Sequence, residues 1–353
     1  MKKNLGILII SFFILVLTAC GFEEPSENEG NANGEKDSEE VDQASTEAEI
    51  VFDMSLPEGP GTKNDAGAQA FKEKLEDLSG GEMSVNIHYS NAFGGEREVY
   101  EMMGQNSLDM ALQSSGPMGV FDERMFVFDL PYLFRDSDHA RGVLDGEIGD
   151  ELAEIFEEAA NVKVLSWVEN GFVVVGSTGT EIRTVEDFEG FQIRVQESSL
   201  QIDTWEAVGA DPTPMAWPEV FTSLQQGVID GHDQAIMVLE TGNFYDVQDA
   251  VTILDARFVA APISISADRF DSLTSEQQEI VQEAAEYGRD KGRERIDEMY
   301  ESSKEFLGDE GGLEIIEFSQ EEKDKYREMT QSVYDDWGSV IGEDLIERIE
   351  NHE

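Results

Sequence analysis

AEIVFDMSLPEGPGTKNDAGAQAFKEKLEDLSGGEMSVNIHYS, residues 48–90, decides the fold. AEIVFDMSL (48–56) mixes β-branched and apolar residues as a strand does, and EMSVNIHYS (82–90) repeats the pattern. Between them AGAQAFKEKLEDLSGG (66–81) has helical spacing and stops at two glycines. GGEREVYEMMGQNSLDMALQS (94–114) then adds a helix and a short strand. A βαβαβ opening predicts a largely parallel sheet with helices on its faces.

The pattern returns further on. VKVLSWVENGFVVVGS (162–177) carries apolar, β-branched runs, and IRTVEDFEGFQIRV (182–195) leads into a second set of elements. Two such units predict two α/β lobes with a crevice between them. In open α/β sheets ligands bind outside the carboxyl ends of the strands. Arg194 stands at such an end, before the helix-starting Ser198 and Ser199, and alternation turns it away from Phe191, Ile193 and Val195.

The net charge of −53, from 77 acidic and 24 basic residues, repels nucleic acid and anionic lipid, so neither is an expected partner. It also repels an anionic solute unless a local cation overrides the field. From the residues alone Arg194 is either that cation or one half of a structural ion pair.

The first 20 residues, MKKNLGILIISFFILVLTAC, have two lysines, an apolar run and small residues before Cys20, the layout of a secretory signal. Leu-Thr-Ala-Cys resembles a bacterial lipobox, in which Cys20 is the lipid attachment site; a plain transmembrane anchor is the other reading. Cys20 is the only cysteine, which leaves no thiol for a disulfide, a zinc site or a nucleophile. Gly21 to Glu49 carries eleven acidic residues against one lysine and cannot bury enough apolar surface to fold. Residues 1–20 are therefore read as a lipoprotein signal peptide and 21–48 as a disordered acidic tether. The expected location is the outer face of the cell membrane, held there by lipid.

Near the C-terminus, Thr274 to Leu307 reads as one long helix with a capping box at Thr274 and Gln277. Ile280, Ala284, Tyr287, Ile296 and Met299 form its intermittent apolar face, while RDKGRER (289–295) is charged on every side. Such a helix is buried at both ends and wet in the middle, bridging two lobes, or else it breaks at Gly288 or Gly292.

FVFDLPYLF (126–134), VEDFEGFQIRV (185–195), GADPTPMAWPEVFTSLQQGVIDG (209–231) and FDSLTSEQQEIVQEAA (270–285) carry a family resemblance. Over about residues 48–320 the chain resembles the solute-binding subunits of TRAP transporters, the tripartite ATP-independent periplasmic systems, in their DctP-like form. The resemblance implies an α/β, two-lobed, periplasmic-binding-protein-like fold of type II character, with a long helix bridging the lobes. Lobe I is expected from 49–171 with 258–300, and lobe II from 172–257 with 301–353. It also implies capture of a small organic acid and delivery to a permease of small and large membrane subunits driven by an ion gradient.

Carried over by position, the family's carboxylate-clamping arginine falls on Arg194, whose guanidinium fork matches a carboxylate bidentately. Trp217 matches an aromatic that lines the solute, though ordinary core packing is the alternative. Gln234 stands where relatives often have an asparagine, so the amide is kept with a longer reach. Ser114 and Ser115, after the strand LDMALQ, are candidate donors, and Glu58, in LPEGPG, is a candidate acceptor for a solute amine or hydroxyl. One position departs from the pattern: ENGFVVVGS places Val173 and Val174 where relatives often have a second arginine. One clamp predicts a monocarboxylate, a sugar acid or a zwitterion over a compact dicarboxylate.

Catalysis has few parts here. His88, His139, His232 and His352 are scattered without a metal pair at helical spacing. DGHD (230–233) reads as a turn at a strand end, and GPGTK (59–63) lacks the order of a phosphate loop. No cofactor, metal or enzymatic activity is expected. An ABC-type solute-binding lipoprotein and a secreted hydrolase are the competing classes.

Overall fold

The structure, a computed structural model, describes residues 48–352. The expected signal, Cys20 and most of the tether lie outside the described residues. The chain begins β1 (Ile50–Ser55), α1 (Lys63–Leu78), β2 (Met83–His88), α2 (Glu96–Gly104), β3 (Met110–Leu112), α3 (Ser137–Leu144) and α4 (Glu147–Ala160). The long strand β4 (Val162–Ser177) leads to β5 (Gln192–Val195), α5 (Ser199–Ala207), β6 (Asp211–Pro214), α6 (Val220–Gln225), β7 (Gly231–Ala235) and α7 (Ile236–Thr241). Then come β8 (Ala250–Ile253), β9 (Phe258–Ser266), α8 (Ala267–Asp271), α9 (Ser275–Asp309), β10 (Glu314–Glu317), α10 (Gln320–Met329), α11 (Gln331–Ile341) and α12 (Glu343–Glu350).

The strands lie in the order β2-β1-β3-β9-β4-β7-β5-β6, with β8 against β4 and β10 against β8. The expected parallel pairing holds within each lobe, where β1 pairs with β2 and β3, and β5 with β6 and β7. It fails at the crossing strands, because β9 runs antiparallel to β3 and β4, and β4 antiparallel to β7 and β8. The reason is connectivity. β4 carries the chain out of the first lobe and β9 carries it back alongside, so the two must run in opposite directions. Their ladder is irregular between Glu169 and Gly171, where Gly171 takes φ +88°, a conformation costly for any residue with a Cβ.

The capping box at Thr274 and Gln277 starts α9, whose 35 residues rise about 50 Å. Val281, Ala284, Ile296 and Met299 pack with Phe52, Phe71 and Ile263 of the first lobe, whereas Leu307 packs with Val174 and Val251 of the second. The helix does not break at its glycines, and its middle is wet on one face only, where Asp290 and Glu294 are exposed, while Gly288, Gly292 and Arg293 are buried on the other. A Cβ on Gly288 would stand 2.9 Å from the Gly67 carbonyl oxygen of α1, so these glycines allow two backbones to approach. Arg293 is buried, donating to Asp145 at 2.6 and 2.9 Å and to the Trp167 carbonyl at 2.7 Å. Charge read from the sequence did not reveal that this cation had internal acceptors.

The C-terminal segment, expected with lobe II, divides. Tyr326 of α10 packs with Phe188 and Trp205 of the second lobe. Val333 and Ile341 of α11 and Leu345, Ile346 and Ile349 of α12 join Leu144, Leu152 and Phe156 of the first.

Candidate functional site

Strand β5 separates two kinds of side chain. Ile193 and Val195 enter the core with Phe188 and Trp205, and Arg194 projects from the opposite face. Arg194 is only 2% exposed. Its Nε donates to the Met215 carbonyl at 2.9 Å, and its guanidinium carbon lies 5.8 Å from the centre of the Trp217 ring. Among the described residues it makes no ion pair within 4.0 Å. Burial draws its pKa below the ordinary value, and the attraction of Glu96 and Asp233 opposes that only in part. A guanidinium stays protonated even so, which makes this a buried charge without an ion-pair partner among the described residues.

β7 places His232 beside Arg194 in the ladder. The Gln248 amide lies 3.1 Å from His232 Nδ1, whereas Nε2 has no partner. Burial and then Arg194 lower the pKa of His232 to about 3, so the ring is neutral near neutral pH. Trp217 and Phe244 close over it, with ring centres 6.0 and 4.6 Å away. Alternation puts Gln234 on the same face as His232. Its Oε1 accepts from the Ala235 N–H at 2.8 Å, which leaves the amide NH2 as its free end.

Trp217 is half-buried and lines a crevice of about 360 Å3 together with Glu58, Thr62, Asn91, Phe221 and Phe244. Glu58 reaches it from the loop after β1. Glu58 Oε1 accepts from Lys63 Nζ at 2.8 Å and from Asn64 Nδ2 at 3.4 Å, and Oε2 is buried without a partner. Lys63 also donates to Asn170 Oδ1 at 2.8 Å, so its charge is consumed internally.

The expected residues are thus only partly assembled. Glu58 and Trp217 share the crevice, and Arg194 adjoins Trp217. Ser114 is engaged elsewhere, its Oγ accepting from Gln196 Nε2 at 2.6 Å. Ser115 Oγ is buried and unpartnered. Reading the sequence missed Lys63, Asn64, Gln196, His232 and Phe244. His232 was visible only as part of DGHD, read as a turn, whereas His232 and Asp233 lie within β7. GPGTK was tested only as a phosphate loop, and its lysine is the counter-ion of Glu58.

A crevice lined from both α/β lobes, with Arg194 next to its Trp217 wall as a buried cation that has no ion pair among the described residues, is the arrangement of a protein that captures small acids. The model of bacterial extracellular solute-binding protein family 7, DctP, matches residues 55–339, and the chain belongs to that family as a DctP-like TRAP solute-binding subunit. It is 32% identical over 255 residues to a solute-binding protein of Verminephrobacter eiseniae, covering 72% of this chain and 76% of that one. A TRAP periplasmic solute-binding protein of Polaromonas sp. JS666, solved bound to D-erythronate, has a TM-score of 0.83 at 27% identity and covers 86% of this chain and 99% of its own. One of Pseudomonas putida F1, solved with bound D-glucuronate, has a TM-score of 0.81 at 29% identity, covering 85% and 97%. The family and its neighbours are transport proteins that bind substrates, and the ABC-type alternative is not favoured.

Proposed function

We propose that this chain is the lipid-anchored, extracytoplasmic receptor of a TRAP transporter, taking one carboxylate of a small organic acid on Arg194 and handing the solute to an ion-gradient-driven permease. The observation that carries the reading is Arg194 itself, buried to 2% exposure with no ion pair among the described residues. An external carboxylate completes it through two parallel N–H···O bonds and removes the cost of an unpaired buried charge. Trp217 forms a wall of the site, and the Gln234 amide donates. Glu58 Oε2 accepts from a hydroxyl or ammonium group, and Ser115 contributes its unpartnered hydroxyl. Ser114 reaches the solute only if it leaves Gln196.

A monocarboxylate, sugar acid or zwitterion suits this set better than a dicarboxylate, because no second free cation stands at Val173 or Val174. The bound D-erythronate and D-glucuronate of the two solved relatives are acids of that kind. For the anchor, the support is Cys20 in its lipobox-like setting.

Calorimetry with D-erythronate, D-glucuronate and succinate tests the solute class. One of the first two should bind, and should raise the melting temperature with concentration, since a ligand that binds only the folded state stabilises it. Binding of succinate alone would overturn the single-clamp reading. Cys20→Ala should release the protein from the membrane fraction with binding intact, and continued retention of that variant would refute the lipid anchor.

A further inference from the structure

We propose that Gln196 is a positioning residue that latches the two lobes together beside Arg194 and thereby sets how long the solute stays. It follows Arg194 by two residues and is 7% exposed. Its Nε2 donates to the first lobe, to Ser114 Oγ, beyond β3, at 2.6 Å and to Glu96 Oε2, at the start of α2, at 3.2 Å. On its own lobe, the backbone N–H donates to Gln201 Oε1 at 3.0 Å, and Oε1 accepts from Gln201 Nε2 at 3.2 Å. The amide nitrogen is thus directed to the first lobe and the amide oxygen to its own.

The first lobe is shaped to receive it. A Cβ built on Gly116 would overlap the Gln196 amide at Oε1, Cδ and Nε2, so this glycine keeps the socket open. Beside it Arg97 of α2 meets Glu197 at 3.3 Å, a second contact between the same two segments. Glu96 has no ion pair among the described residues, yet it is the carboxylate that most favours the charged form of Arg194. The hydrogen bond from Gln196 fixes that carboxylate near the clamp without letting it occupy the clamp.

The inference rests on the crevice being the solute site, and it makes Gln196 act on closure rather than on solute chemistry. Contacts between the lobes exist only when the two meet, so their loss appears in dissociation rather than in encounter. Stopped-flow kinetics with D-erythronate or D-glucuronate, whichever binds, should show release from Gln196→Ala about tenfold faster with association within about twofold. Gly116→Ala should mimic it by filling the socket, and the double variant should be no worse than either single one, since the two remove one contact. Additive effects, an unchanged release rate, or a change confined to association would overturn the latch. Should neither acid bind the unsubstituted chain, the proposed function fails while the latch is still read. In solute-free protein, hydrogen exchange over residues 94–97 and 114–118 should quicken in Gln196→Ala, and unchanged exchange there would overturn it.

Discussion

Two arginines of the second lobe are buried to nearly the same degree and face opposite fates. Arg194 is 2% exposed and Arg257 7%. Arg257, at the end of the loop before β9, donates to Asp233 Oδ2 at 2.7 Å through one terminal nitrogen and to Asp129 Oδ1 at 3.2 Å through the other. Burial lowers its pKa, but Asp233 and Asp129 outweigh burial and the net direction is upward. For Arg194 burial prevails and the direction is downward. Burial therefore does not separate the two; what separates them is whether the described residues supply an anion within ion-pair distance. Asp233 lies between His232 and Gln234 on β7, so the satisfied arginine braces the strand that flanks the unsatisfied one.

The largest effect should come from the satisfied partner. Arg257→Ala strands two buried carboxylates and should cost about 3–5 kcal/mol of folding stability, measured by denaturant unfolding. A loss near zero would mean the cluster is no brace. Arg194→Ala should leave folding intact, and it should weaken solute binding by about 2–5 kcal/mol in calorimetry, because a desolvated carboxylate loses its fork. Arg194→Lys keeps the charge without the fork and should fall between that variant and the unsubstituted chain. Near-native affinity in Arg194→Ala would make the two arginines alike after all.

His232 sharpens the contrast through pH. Its folded pKa of about 3 is depressed from 6.5, so on acidification the unfolded chain takes the proton first. The stability this group contributes is complete above pH 6.5 and is lost as pH falls from there toward 3. His232→Gln removes that dependence. As pH falls through this window, the stability difference between the two proteins should move in favour of the variant by up to about 1.4 kcal/mol per pH unit. Parallel unfolding curves at all pH values would place His232 in a wetter setting than the one described. The smallest effect is expected from deleting residues 1–47, the expected signal and tether, which should change neither melting temperature nor affinity, since residues 21–47 have too little apolar content to build a core. A clear fall in melting temperature would show that the segment belongs to the fold.

Much of the fold was legible because local pattern and tertiary demand agree. The alternation in 48–56 and 82–90 became β1 and β2, and the capping box at Thr274 began α9. Arg194 was legible too, since alternation alone turned it from the core. The antiparallel passage of β4 and β9 was not legible, because strand direction depends on how the chain returns between lobes. Nor was the burial of Arg293, whose acceptors Asp145 and Trp167 lie far from it in sequence.

The site shows the same boundary. Sequence by itself determined which side chains were available: one arginine at a strand end, a tryptophan before Pro218, acids in excess and a single cysteine. It determined the alternation of β5, and so the face on which Arg194 stands. Only the tertiary structure decided which charges are already neutralised. Lys63 is matched by Glu58, Arg257 by Asp129 and Asp233, and Arg194 by no carboxylate within ion-pair distance. It also decided that Ser114 serves Gln196. The physical reason is that pairing is a matter of distance between atoms remote in the chain: Arg257 and Asp129 are 128 residues apart in sequence and 3.2 Å apart in space. Residue type supplies a charge, and only folding supplies its partner or withholds one.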